Sequence, residues 1–308
     1  MANRVFYASQ GVSIEQVGSL QVNAVQGAQS VGVQSNFTLE QAFQLGQLSI
    51  YNNVVTNPEV TVTVSKVLDG EDTIYKLATG GGSLVSVAAE RTNVYVGVGD
   101  DTESAVNTNQ VVKMTGMYLS SVSYTMPTDG FMTEEVNFLG DDKVFSTEAA
   151  DVALVNAPAT SGNVVLRRQH FKTTDCTFPA AVDGQNITNV SISADLGREA
   201  MYKLGQFGPF HRFTNFPLEV SCEFEVSATG LDQTNVDQNV TCTGGNLPAE
   251  EPIEIVLCDP DTGNNSYTFN LGDKNRLASV NYQGGDTGGG NATISYSYTT
   301  YNDLTITG

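Results

Sequence analysis

Residues two apart keep the same character over run after run of this chain. Val60, Val62 and Val64 alternate with Thr61, Thr63 and Ser65. Val94, Val96 and Val98 repeat the pattern, and Val122, Tyr124 and Met126 alternate with Ser121, Ser123 and Thr125. The longest run places Leu218, Val220, Cys222, Phe224 and Val226 between Glu219, Ser221, Glu223 and Glu225. Two more close the chain, around Tyr267–Leu271 and Ile294–Tyr298. Successive side chains of a strand point to opposite faces, so each run predicts a strand with one core face and one polar face. Enrichment in Val, Thr, Tyr and Ile agrees.

Turn chemistry separates the runs. Asp69-Gly70, Asp129-Gly130 and Asp183-Gly184 are turn pairs, and residues 79–83 and 284–291 are glycine-rich loops. Helix signal is scarce. The stretch 195–204, DLGREAMYKL, predicts a short helix, with Leu196, Ala200, Met201 and Leu204 on one face and Gly205 just beyond its end. The stretch 38–48 is balanced between helix and strand: Thr38 and Gln41 fit a capping box, but Gly46 lies inside. The expected class is therefore all-β with one short helix. With 308 residues the chain is long enough for a large core, and one β domain over 1–308 is expected. The stretch 145–162, low in bulky residues, and the stretch 227–270, which opens on the polar, glycine-rich 227–252, are the places for an inserted loop or a small outer subdomain.

The charge balance narrows the function. Asp and Glu number 34 against 14 Lys and Arg, a formal net charge of −20, yet charged residues are only 16%. Ser, Thr, Asn, Gln and Gly must fill the remaining surface. Grip on phosphates comes mainly from Lys and Arg, so neither nucleic-acid binding nor docking on anionic membranes is expected. Cys176, Cys222, Cys242 and Cys258 form no C-x-x-C pair and read as buried free thiols. The sequence MANRVFYASQ has no apolar secretory core, and no run of about 18 apolar residues predicts a membrane helix.

Catalytic patterns fail one by one. His170 and His211 are the only histidines and are spaced neither as metal ligands nor as a base with a partner; each reads as structural or surface. Gly97-Val98-Gly99 starts like a dinucleotide loop, but position 102 is Thr. Asp259-Pro260-Asp261-Thr262-Gly263 misses the calcium-loop spacing, with Gly fifth and Asn270 at position twelve. Asp100-Asp101 and Asp141-Asp142 read as solvated turns. No catalytic, cofactor or metal site is expected.

Four segments taken in order resemble the major tail tube proteins of tailed bacteriophages: 37–70, 119–145, 190–226 and 280–306. The resemblance implies a β-sandwich or open barrel with one flanking helix. It implies six subunits in a ring, inner sheets joined into a ring-wide barrel, and rings stacked into a tube for genome delivery. It implies as partners the chain itself, a sheath, baseplate or terminator protein, and DNA passing without adhering. It implies a place in the virion tail after assembly in the host bacterial cytoplasm. Glu134, Glu135, Asp141 and Asp142, in the hairpin-like 119–145 segment, are the candidates for an acidic channel lining; they read equally as ordinary solvated turn residues. Competing readings are a capsid decoration or tail terminator protein, a secreted adhesin, and a glycan hydrolase; absence of Trp weighs against the last.

Overall fold

A computed structural model describes residues 10–19, 21–99, 110–155, 164–230, 234, 247–259, 261–284 and 291–308. Strands dominate, as the alternation requires. The first stretch carries β1 (Gln10–Gln16), β2 (Asn23–Ala24), β3 (Ala28–Asn36), β4 (Leu39–Phe43), β5 (Ile50–Val55) and β6 (Glu59–Val67). Helix α1 (Ile74–Thr79) follows, then β7 (Gly82–Ser83), β8 (Arg91–Val98), β9 (Gln110–Pro127), β10 (Thr133–Gly140) and β11 (Val144–Ser146). After α2 (Ala149–Val152) and a 3₁₀ turn at Arg168–His170 come β12 (Asn186–Asp195), β13 (Arg198–Met201), β14 (His211–Thr214) and β15 (Glu219–Ser227). The last stretch holds β16 (Glu250–Glu251), β17 (Glu254–Cys258), β18 (Asn265–Asn270), β19 (Asn275–Gln283), β20 (Thr293–Tyr301) and β21 (Thr305–Thr307).

Antiparallel pairing joins β16-β19-β20-β15-β12-β9-β10-β6-β3 into one large sheet, from which β8 and then β1 branch at β9. Strand β9 serves both parts because it breaks step at Gly116. That glycine has φ 65°, its N–H donates to Asn93 Oδ1 at 2.9 Å, and the β8–β9 register shifts between Thr92 and Val94. A strand-interior glycine at positive φ is how an extra residue is accommodated.

The large sheet buries one face. Val62, Val64, Val122, Tyr124, Val136, Phe138, Ile192 and Phe224 are all essentially inaccessible, and all are the apolar members of their alternations. A smaller sheet, β17-β18-β21-β7, lies over this face together with α1. Tyr124 of the large sheet meets Phe269 of the small one at 4.7 Å between ring centroids, and Phe178 packs edge-on against Phe224 at 6.1 Å. Each buried aromatic contributes roughly 1.5–3 kcal/mol by leaving water. Ile253, Ile255, Leu257, Tyr267 and Leu271 belong to the common core, so most of 253–271 is a layer of the main body. Residues 156–163, Asp100-Asp101 and Cys242 lie outside the described residues; Cys222 is a buried free thiol, and Cys176 and Cys258 are half-buried free thiols.

Helix placement differs from the sequence expectation. Residues 198–201 form β13 rather than a helix, paired with β14. The cause is non-local: Arg198 donates to Leu119 O at 2.7 Å, Ala88 O at 2.6 Å and Thr214 Oγ1 at 2.7 Å, bonds that hold it in an extended ladder. Of the proposed apolar face only Leu196 is buried. The balanced 38–48 stretch becomes the first strand and turn of the β4–β5 hairpin. The helices among the described residues are α1 and the single turn α2. Thr73 caps α1, its side chain accepting from Lys76 N at 3.1 Å, and Gly80 ends it in the left-handed region at φ 75°.

Candidate functional site

The second face of the large sheet is the most distinctive surface of the molecule. On it the polar members of every alternation meet in rows. One row runs from Ser65 through Glu135, Ser123, Ser193 and Ser221 to Thr299. The next carries Thr125, Ser191, Glu223 and Ser297, and Asp195 opposes Glu219 one step toward the other side. Ser193 and Ser221 share a hydroxyl–hydroxyl hydrogen bond at 2.8 Å. Among the described residues of β6, β10, β9 from Leu119 onward, β12, β15 and β20, this face bears Glu59, Glu135, Asp195, Glu219, Glu223 and Glu225 and no Lys or Arg. Lys66 of β6 turns inward; Arg276 of the next strand, β19, lies opposite Thr299 on this face and is paired with Glu250 at 3.2 Å. Six strands at about 4.8 Å spacing make a surface roughly 25–30 Å across. Fixed negative charge in excess of the few cations near it repels a polyanion, and short hydroxyls offer no anchor for one.

The four carboxylates singled out from the sequence do not lie together. Glu135 is on this face and exposed. Glu134 is not available to line anything, which corrects the expectation for it. It shares the parity of Val136 and Phe138 and is fully buried. Its Oε2 accepts from Ile74 N at 2.6 Å, and its Oε1 accepts from Tyr75 N at 3.0 Å and Tyr124 Oη at 2.8 Å. Glu134 thus satisfies the first amides of α1. Burial pushes its carboxyl above the ordinary value, against the downward pull of the Tyr75 and Ile74 amides, Tyr124 and Lys66.

Asp141 holds two hairpins at their bases. Arg212, only 4% exposed, grips it through Nε, which donates to Oδ2 at 3.4 Å, and Nη2, which donates to Oδ1; Asn57 Nδ2 donates to Asp141 Oδ1 at 3.1 Å. Glu59 lies 3.7 Å from the same guanidinium. Asp142 is exposed and accepts from Thr115 Oγ1 at 2.9 Å. Asp195, Glu219, Glu223 and Glu225 were missed as site residues, although the alternation over 218–226 already put three of them on one face.

The remaining sequence candidates have structural roles. His170 Nδ1 accepts from Arg167 N at 3.0 Å within the 3₁₀ turn. His211 packs edge-on against Phe213 at 4.3 Å and lies 3.2 Å from Tyr118 Oη. Asp259 folds its own turn, Oδ1 accepting from Asp261 N at 2.7 Å and Thr262 N at 3.1 Å. No group of three His, Cys, Asp or Glu side chains suited to a metal occurs among the described residues. No helix among them is long and apolar enough to cross a membrane.

No protein-family model matches the chain, and no curated protein does. Among solved structures it is similar to a chain in the cryo-EM structure of the anti-feeding prophage (AFP) baseplate, at 7% identity and TM-score 0.36 over 47% of this chain and 97% of that one. It is similar to a chain of the AFP tube-terminating cap, at 10% identity and TM-score 0.37 over 48% of this chain and 94% of that one. A third is in the PVC sheath-tube complex of an extracellular contractile injection system in the extended state, at 10% identity and TM-score 0.35, covering 48% and 95%. Overlap at this level does not establish a common fold.

Proposed function

We propose that this chain is a non-enzymatic, self-assembling subunit of a phage-tail-type tube. Copies join edge to edge into a ring, six by the resemblance of the sequence. Rings stack, and the acidic, cation-poor sheet face lines the channel through which nucleic acid passes. That face is the observation that carries the reading. A lumen must let a long polyanion slide, and a wall of hydroxyls, amides and carboxylates, whose Arg276 is held by Glu250, repels phosphates and gives them few partners.

The sheet edge supports the ring. β3 is a terminal strand of the large sheet, with sequence AQSVGVQSN and neither Lys nor Pro to block pairing. Such an edge is a template for another strand, and a closed ring uses it. Other tail proteins, such as a sheath, baseplate or terminator, would then meet the outer wall or ends. The chain's place would be the virion tail.

The test is a Ser193→Cys variant of the full chain, imaged by negative stain and probed with a maleimide carrying a bulky protein tag. Wild-type and variant protein should form hollow tubes. Above the wild-type background, the tag should label the introduced thiol in unassembled protein and not in intact tubes. Equal labelling in both states would place the face outside the channel. Single rings that never lengthen would favour a terminator, and compact trimers a decoration protein.

A further inference from the structure

Exposed apolar side chains are concentrated in two hairpins. Among the described residues 26 large hydrophobics stand exposed; nine fall in 37–55 around β4–β5 and seven in 201–216 around β13–β14. Leu45, Leu48 and Leu204 are completely open to solvent, and Phe207 is 67% exposed.

The ladder register puts both hairpins at the same end of the large sheet. Asn36 at the end of β3 opposes Glu59 at the start of β6, and Val60 opposes Gly140 at the end of β10. Leu139 opposes Tyr118, Ser121 opposes Asp195 at the end of β12, and Asp195 opposes Glu219 at the start of β15. The β4–β5 ribbon continues the β3–β6 pair beyond that end, through the Thr56 N–H to Thr38 O bond at 2.9 Å. The β13–β14 ribbon continues the β12–β15 pair in the same way, through Asn215 N–H to Gly197 O at 3.1 Å. The Arg212–Asp141–Asn57 clamp ties their bases together. At the opposite end the described turns 68–73 and 128–132 expose only Phe131 among large apolar residues, and Arg167 stacks on it at 4.6 Å.

We propose that the β13–β14 hairpin is a docking arm for a second copy of this chain stacked end to end, acting beside β4–β5 in one two-pronged contact. This rests on the self-assembly reading above. Area identifies the occupant class. Seven side chains at roughly 60% exposure and about 200 Å² each give β13–β14 on the order of 800 Å², before β4–β5 is added. A stable interface buries about 800 Å² per partner, so the exposed area of this hairpin is of the size that a second protein chain covers. Asymmetry identifies the geometry. Apolar arms at one end only cannot pair with themselves across a two-fold axis and still propagate. An arm seated on the far end of the next copy is heterologous and repeats without limit. Edge-to-edge joining through β3 runs sideways and leaves both arms free for this axial contact.

The arm is tested in the full chain with the double variant Leu204→Glu, Phe207→Glu, beside a conservative Leu204→Met, Phe207→Leu control. Sedimentation velocity and negative stain read the assembly. Both sites are exposed at a hairpin tip, so circular dichroism and the thermal midpoint should match wild type. The charged variant should lower the stacked fraction roughly tenfold or more and leave single rings, and the conservative control should restore stacks. Tubes of wild-type length from the charged variant would overturn the arm while leaving the self-assembly reading intact. A wild-type protein that stays monomeric at high concentration would overturn both.

Discussion

Two buried or half-buried carboxylates serve the subunit itself, and each carries a measurable consequence. Asp141 neutralises Arg212, whose guanidinium is nearly inaccessible. Removing one partner of a fully buried ion pair costs about 3–5 kcal/mol. Asp141 is 28% exposed, so Asp141→Ala should cost less, roughly 2–3 kcal/mol in urea unfolding. A midpoint unchanged from wild type would sink the clamp. Glu134 predicts a pH effect of definite sign. Its carboxyl is raised above the ordinary 4.5 by burial, so the folded state holds the proton more tightly than the unfolded chain. The stability from this group is fully present below about 4.5 and lost as pH rises through the raised value. The stability difference between wild type and Glu134→Gln should therefore shift in favour of wild type on going from pH 7 to pH 4.5. A pH-independent difference would show that Glu134 titrates alike in both states. Asp151, drawn down by its hydrogen bond to Lys113, runs the opposite way, which is why the comparison must be made against the variant.

Among the elements, β9 is the one whose shape the fold depends on. It spans 18 residues and belongs to both the large sheet and its β8–β1 branch. Gly116 lets it do so, at a φ that a side chain resists. Nothing lies within 4 Å of a Cβ added there, so the strain of Gly116→Val is conformational. It should cost roughly 1–3 kcal/mol, read as a drop in unfolding midpoint. An unperturbed midpoint would mean that the backbone reaches the same bend with ordinary φ. The hairpins teach a different lesson at this scale. DLGREAMYKL has a helical apolar spacing, yet the stretch is extended, because Arg198 is drawn onto the Leu119 and Ala88 carbonyls. Local periodicity loses where a distant strand offers the backbone and a guanidinium better partners. The short α1 was missed for the opposite reason. Six residues are too few for a period to declare itself, and only Thr73 and Gly80 marked its ends.

For the whole molecule, the alternation already carried the separation into a core face and a polar, cation-poor face. Parity alone assigns Val62, Val122 and Phe224 to one side and Thr63, Ser123 and Glu223 to the other, because strand side chains alternate with period two. The same parity, followed one residue further, removes Glu134 from the polar face and keeps Glu135 on it. The all-β class and the absence of Lys and Arg between the apolar positions were thus fixed before folding. Parity says nothing about which strands lie side by side or which of their ends coincide. Those follow from pairings such as Ser121 with Asp195, 74 residues apart, whose register is set by core packing and hydrogen bonding together. Only the tertiary structure set the carboxylates of β6, β10, β12 and β15 side by side on one face. It alone brought two apolar hairpins to one end and buried Glu134 against a helix whose amides needed it. Contacts between residues far apart in the chain decide these features, and no local pattern encodes them.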